Sequence, residues 1–424
     1  METTELDFFR DGSLLKDPYP FFDALRDECP VRKEPYQGVF LVTGYEEALQ
    51  VYHDTATFSS ANSVTGPFPG FATPLEGDDV TEQIEEQRDA LPFSDQLPTF
   101  DPPKHTAHRG LLMRLITPKR LKENEDFIWA LADRQIDEVL EQGTGKVELI
   151  SEFANPFAML VIADLLGVPE ADHEIFRRQL ATPQGGLGST KDETLAHKPL
   201  EWLYGRFSAY IEERRHEPRD DVLTKMAQAT YPDGSTPDIA DVTGIAANLF
   251  AAGQETTVRL IGASLQRLGD DAKLQQELRE DGEKVANFVE EMLRFESPVK
   301  GDFRVARVAT NVGGVDIPAG TTVMVLNAAA NRDPRKFECP AEFRPDRDNA
   351  RENLAFGHGI HFCPGAPLAR TEGRVSVQRL LDRLDDIRIS DEEHGPPGAR
   401  EFRYLPTFIL RGVSRLHLTF TPAG

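Results

Sequence analysis

Residues 356–365 read Phe356-Gly357-His358-Gly359-Ile360-His361-Phe362-Cys363-Pro364-Gly365, and a helical pattern runs on from Ala366 through Leu381. The glycines let the chain turn tightly and come close to a flat ligand. The sulfur sits just before a helix start, where backbone amides and the helix dipole favour a thiolate over a thiol. Pro364 suits that start, because its missing N–H would be unpaired there anyway. Cys29, Cys339 and Cys363 each precede a proline, so the dipeptide selects none of them. Only Cys363 has the glycine loop, a histidine two residues before it and a helix just after it. Two plainer readings compete. One is a buried structural cysteine. The other is a zinc site of His358, His361 and Cys363, although zinc ligands usually come as two separated pairs and no second pair is present.

The chain around this loop has 424 residues, 39% of them hydrophobic, and a formal net charge of −24. That hydrophobic share can build a large core. The acidic excess argues against nucleic acid or an anionic membrane surface as the main partner. The N-terminus lacks the basic and apolar regions of a signal peptide, and no apolar run is long enough to span a bilayer. A cytoplasmic protein without a membrane span is therefore expected. Three cysteines make no disulfide framework.

Asp17-Pro18 reads as a helix start. Residues 38–44 read as a strand and 45–53 as a helix. The stretch 54–100 is irregular. Helical patterns dominate from 103 to about 280, with interruptions near 182–190 and 231–237. Residues 303–326 are strand-like, and the alternating tail 402–421 predicts a final hairpin.

The cysteine run is similar to the haem-binding loop of the cytochromes P450, with Phe356, Gly357, Gly359, His361, Cys363 and Gly365 at that family's spacing. The resemblance implies haem b, with the iron held by the Cys363 thiolate and with Phe356 and Gly365 among the haem contacts. A thiolate on haem iron donates electron density and favours O–O cleavage. The implied fold is mainly α with a minor β region. One haem domain would span 1–424, β-rich at about 30–60 and 300–420 and helical at about 103–300 and 366–385.

Three more segments match in the family's order. In Asp101-Pro-Pro-Lys-His105-Thr-Ala-His-Arg109, His105 and Arg109 stand at i and i+4 on one helix face. By itself this is an ordinary basic turn. Beside the cysteine loop it implies donors to the haem propionates, joined by His361 and by Arg304. In Ala252-Gly253-Gln-Glu255-Thr256-Thr257, residues poor for a helix interior break an apolar helical stretch. The resemblance places Ala252 and Gly253 over the haem. It makes Thr256 the hydrogen-bonding partner of bound oxygen and Glu255 a proton relay. The plainer reading is a packing glycine beside an exposed Glu. In Glu291-Met-Leu-Arg294 the pair stands at i and i+3, and Arg347 of Phe343-Arg-Pro-Asp-Arg347 is the implied third member of a buried structural triad. Glu290 and Glu296 are rivals for the acid.

Lys104, Arg109, Arg114, Lys119, Arg120 and Lys122 fall in a stretch without an acid. It reads either as a docking patch for an acidic electron donor or as a solvated basic face. No iron–sulfur cysteine set or dinucleotide fingerprint is present, so electrons would come from a ferredoxin or flavodoxin with an NAD(P)H-dependent reductase. By the resemblance, Phe68, Phe71, Phe93, Leu249, Val299, Ile409 and Leu410, with the 180–200 stretch, line a pocket for a lipophilic terpenoid, steroid or fatty-acid-like molecule. Lys300 and Asp302 sit awkwardly on such a wall, either paired with each other or turned away.

The expected activity is hydroxylation with O2 by a monomer. The rivals are a peroxygenase, or a haem-thiolate isomerase or dehydratase, neither of which needs external electrons. A haem-thiolate sensor is the non-enzymatic alternative.

Overall fold

The computed structural model describes residues 5–180, 198–231 and 233–424. Helix dominates, with small sheets. At the centre lies a helix of 30 residues, Ile239–Leu268. It packs against Asn155–Leu166, Lys198–His216 and the post-cysteine helix Ala366–Arg383. Asn155–Leu166 is apolar on nearly every side and is buried on nearly every side, as such a helix must be. It stops at Gly167, which takes the left-handed conformation that a side chain would disfavour.

The largest sheet has five strands, in the order Val31–Lys33, Phe40–Val42, Thr322–Val325, Asp302–Ala306, Phe58–Ser59. Asp302–Ala306 runs antiparallel to Thr322–Val325, with Asp302 opposite Val325. Side chains alternate along a strand. Asp302 and Arg304 therefore share one face and line a cavity, while Phe303 enters an apolar cluster with Phe9, Phe408 and Ile409 on the other. Just before the strand the alternation breaks at Gly301, where a Cβ would stand 2.3 Å from the Val325 carbonyl. Val299 consequently faces the cavity, and Lys300 is buried with its ammonium on the Thr407 carbonyl, 2.8 Å away.

The expected helix at 45–53 is Tyr45–His53, and the strand expected over 38–44 is Phe40–Val42. The tail differs. Its first part closes on itself at the Tyr404–Val413 bridge, Leu410 bridges to Val299, and its strand His417–Pro422 pairs with Leu384–Ile389 and Lys146–Glu148. Alternation marks a strand but does not name its partner. Among the described residues, no helix is long and apolar enough to cross a membrane.

Candidate haem site

The loop before the post-cysteine helix is drawn tight by the Cys363 amide, which donates to the Phe356 carbonyl at 3.0 Å. Gly359 has φ +71°, and a Cβ there would stand 2.6 Å from the Tyr52 carbonyl, so glycine is required. The amides of Gly365 and Ala366 and the charges of Arg109 and Arg370 favour the Cys363 thiolate, as expected of a helix start. Burial outweighs them and pushes the thiol up. Correcting the expectation from sequence, the helix start alone does not make the thiolate; a coordinated cation would.

Cys363 borders a cavity of about 350 Å3 that also receives His105, Arg109, Arg304 and His361. His105 and Arg109 come from the helix Lys104–Met113. Arg109 Nη2 donates to the Phe362 carbonyl at 2.7 Å, which ties that helix to the residue before the cysteine. The buried Nε2 of His105 has no hydrogen-bond partner among the described residues. Burial, and then the neighbouring Arg109, hold His105 down to about 4. Burial followed by Arg304, His105 and Arg109 holds His361 to about 2. Ser60 Oγ lies 3.1 Å from His361 Nε2.

These four nitrogen donors crowd together, with Asp302 bonded to Arg304 Nη1 at 2.7 Å and to the Tyr52 hydroxyl at 2.7 Å, and Asp101 acting on His105. An orphaned imidazole nitrogen beside crowded cations calls for an anionic ligand. The Cys363 sulfur, which borders the same cavity, suits a soft metal. The donor set therefore fits an iron porphyrin carrying two carboxylates.

On the central helix, Ala252, Gly253, Thr256 and Thr257 line the cavity. The Thr256 hydroxyl donates to the Ala252 carbonyl at 2.8 Å. Glu255, expected at the same face, is not among the lining residues. It pairs at 3.1 Å with Arg259, which also donates to the Val413 carbonyl.

Sequence reasoning missed Glu372, nine positions after the cysteine. It is buried at the cavity wall and accepts from Thr257 at 3.2 Å. Its Oε1 has no partner among the described residues, and burial raises its carboxyl well above the usual range. The available signal was its spacing on the same helix face as Leu368 and Val375. A Glu on a helix is read as solvent-facing by default.

Of the residues expected at the substrate wall, Leu249 and Val299 line the cavity, and Phe68, Phe71, Phe93, Ile409 and Leu410 do not. Ile409 and Leu410 are buried in the apolar cluster of Phe9 and Phe303, with Phe68 packed against it. Phe71 packs on a separate small cluster. An aromatic next to a cavity in sequence satisfies its burial equally well in a neighbouring core. Of the 180–200 stretch, residues 181–197 lie outside the described residues. Lys300 and Asp302 do not pair with each other. Lys300 turns away from the cavity, and Asp302 pairs with Arg304.

Glu291 and Arg294 are fully buried and joined by two bonds of 2.7 Å. Arg347 Nε reaches both Glu291 oxygens at 3.1 Å. The two arginines donate onward to the carbonyls of Asn331, Glu338, Cys339, Pro340 and Glu342, clamping the segment that leads to the cysteine loop. Of the rivals, Glu290 pairs with Arg370 and Glu296 with Arg411.

Residues 194–394 match the family model described as cytochrome P450. Cytochrome P450 monooxygenase PikC of Streptomyces venezuelae is 33% identical over 94% of this chain and 90% of its own length. The substrate-free structure of Mycobacterium marinum cytochrome P450 CYP150A6 is 54% identical, covers 100% of both chains and superposes with a TM-score of 0.94. CYP109E1 of Bacillus megaterium in complex with testosterone is 26% identical over 95% of this chain and 99% of its own, with a TM-score of 0.77. With the sulfur, the propionate-type donors and the threonine helix all bordering one cavity, the chain belongs to the cytochrome P450 family of haem-thiolate monooxygenases.

Proposed function

We propose that this P450 hydroxylates a lipophilic small molecule of terpenoid, steroid or fatty-acid type, using O2 and electrons from a separate ferredoxin and its reductase. The observation that carries the reading is the convergence of Cys363, His105, Arg109, Arg304 and His361 on one cavity that also contains Thr256. Bound there, haem supplies the oxygen-activating iron. His105, Arg109, Arg304 and His361 would hold its carboxylates. Thr256 keeps a hydroxyl proton at the wall. Glu255 would have to leave its pair with Arg259 to pass a proton toward Thr256. Glu372, whose carboxyl burial pushes well above its usual range, accepts from Thr257 at the same wall. These proton-bearing groups favour O2 chemistry over the peroxygenase and isomerase readings.

The mostly apolar lining, with Ile116, Leu165, Ile245, Leu249 and Val299, supports a lipophilic substrate, as does the steroid held by the Bacillus relative.

The donor surface is supported on the cysteine side. Arg109 turns to Phe362 and Arg120 to Asp164. Lys104, Arg114, Lys119 and Lys122 are exposed, Lys119 in a pair with Glu123, and Met113, Ile360 and Phe362 are 44%, 40% and 39% exposed. Exposed cations together with exposed apolar side chains suit an acidic protein partner.

The CO difference spectrum of the reduced holoprotein tests the first element. A thiolate-type Soret band is expected, and an imidazole-type band would overturn it. The double variant Arg114→Glu/Lys122→Glu tests the second. Reduction by ferredoxin should slow about tenfold and lose much of its salt dependence; an unchanged rate would remove the patch.

A further inference from the structure

The cavity wall contributed by the first half of the central helix is apolar except at Asn248, which lies between Ile245 and Ala252 on the lining face. Its Nδ2 donates at 2.6 Å to Oε1 of the buried Gln96. Gln96 in turn hydrogen-bonds the Tyr204 hydroxyl, and that hydroxyl donates to Asp95 Oδ2 at 3.2 Å. Tyr204 lies against the central helix, where a Cβ on Gly244 would stand 3.4 Å from its oxygen.

The direction of this chain follows from its end. A carboxylate only accepts, so Tyr204 gives its single proton to Asp95. The phenolic oxygen then accepts, which turns the NH2 of Gln96 toward Tyr204. The Gln96 oxygen is left facing Asn248 and takes one of its amide protons. Asn248 Oδ1 accepts no hydrogen bond from the described residues.

Of the other polar groups of the wall, His105 Nε2, among the haem donors, and Glu372 Oε1 are left without a partner among the described residues, while three more are engaged elsewhere. Ser63 donates to the Pro98 carbonyl, Thr256 to Ala252, and Tyr52 to Asp302. Glu372 stands beyond Thr256, against Thr257.

We infer that Asn248 is the polar anchor of the substrate site and that its Oδ1 selects a lipophilic molecule bearing a hydroxyl, or another hydrogen-bond donor, over the matching ketone or hydrocarbon. The inference rests on the monooxygenase reading and specifies its substrate class. Eight residues separate Asn248 from Thr256, about 12 Å along the axis at ~1.5 Å per residue. The donor group is thus held remote from the carbon to be oxidised. Gln96 is a positioning residue, because it sets which end of the Asn248 amide the cavity receives.

Equilibrium dialysis of the haem-loaded protein against two matched series tests this: androstanol, androstanone and androstane, and menthol, menthone and menthane. The wild type should bind the alcohol of at least one series about tenfold or more tighter than its ketone and hydrocarbon. Asn248→Leu should bring the alcohol down to the level of the hydrocarbon. Gln96→Leu should free the amide to turn, so that the ketone rises toward the alcohol while the hydrocarbon stays weak. Equal binding across a series, uptake of neither series, or an alcohol preference that survives Asn248→Leu would each overturn the proposal. Dialysis reads neither turnover nor iron ligation, whereas the CO spectrum reads only the latter, so failure of one reading is separable from failure of the other.

Discussion

The wall of the cavity beside Cys363 and the wall beside Asn248 use polar groups in opposite ways. Around the cysteine, four nitrogen donors crowd together, and the buried His105 Nε2 is left without a partner among the described residues. Beneath them the Glu291–Arg294–Arg347 triad fastens the approach to the loop with bonds to five backbone carbonyls. Beside Asn248, a single amide stands among Ile245, Leu249 and Ala252. The contrast teaches what each wall is for. Holding one charged cofactor repays many fixed donors. Admitting a lipophilic molecule needs apolar area and a small number of directional groups.

The largest break should come from the triad. Arg294→Ala leaves Glu291 buried without its closest cation, which costs about 3–5 kcal/mol. Denaturant unfolding of the holoprotein should register this, and a loss below 1 kcal/mol would mean that the clamp does not support the loop. Next is Thr256→Ala, which should keep haem in place while product formed per electron pair falls on the order of tenfold or more. Unchanged coupling would take Thr256 out of the proton path.

His105→Leu should speed haem loss to a scavenging apoprotein about tenfold, the effect of one charge-assisted hydrogen bond. The same test on His108, which bonds the Lys104 carbonyl, should show little change.

The smallest effect concerns Lys300, at the edge of the apolar wall. Burial holds its ammonium down to about 7, with Arg411 adding to the shift, against about 10.4 in an unfolded chain. Between those values the unfolded chain binds more protons, so this group's contribution to stability is present above about pH 10 and is lost as pH falls to 7. Lys300→Met should therefore stabilise the protein on the order of 1 kcal/mol at pH 6, with the gain shrinking toward pH 10. Calorimetry across that range checks the sign. Substrate preference should not move, because Lys300 faces away from the cavity.

Much of the Cys363 wall was legible beforehand. The loop, the post-cysteine helix and the donors His105, Arg109 and His361 belong to short contiguous segments whose spacing is itself the signal. The opposite wall was read less well. Phe68, Ile409 and Leu410 belong to an apolar core behind the wall, since nothing in a hydrophobic residue's identity says which buried surface it joins. Lys300 was undecided because its direction depends on the crowding of Gly301 against the Val325 carbonyl, a contact between strands. The tail's partners were misread for the same reason: Leu418 pairs with Val147 and Ile389, far away in the chain.

By itself the sequence determined the chemistry at the iron, because a metal ligand and its turn-forming glycines occupy ten consecutive positions, with the helix Ala366–Arg383 directly after them, and a local pattern suffices to specify them. The tertiary structure alone decided which atom the cavity offers to a substrate. Asn248 and Gln96 lie 152 positions apart, and the orientation of one amide is inherited through hydrogen bonds from Asp95 and Tyr204, whose directions exist only once the helices and the loop have packed.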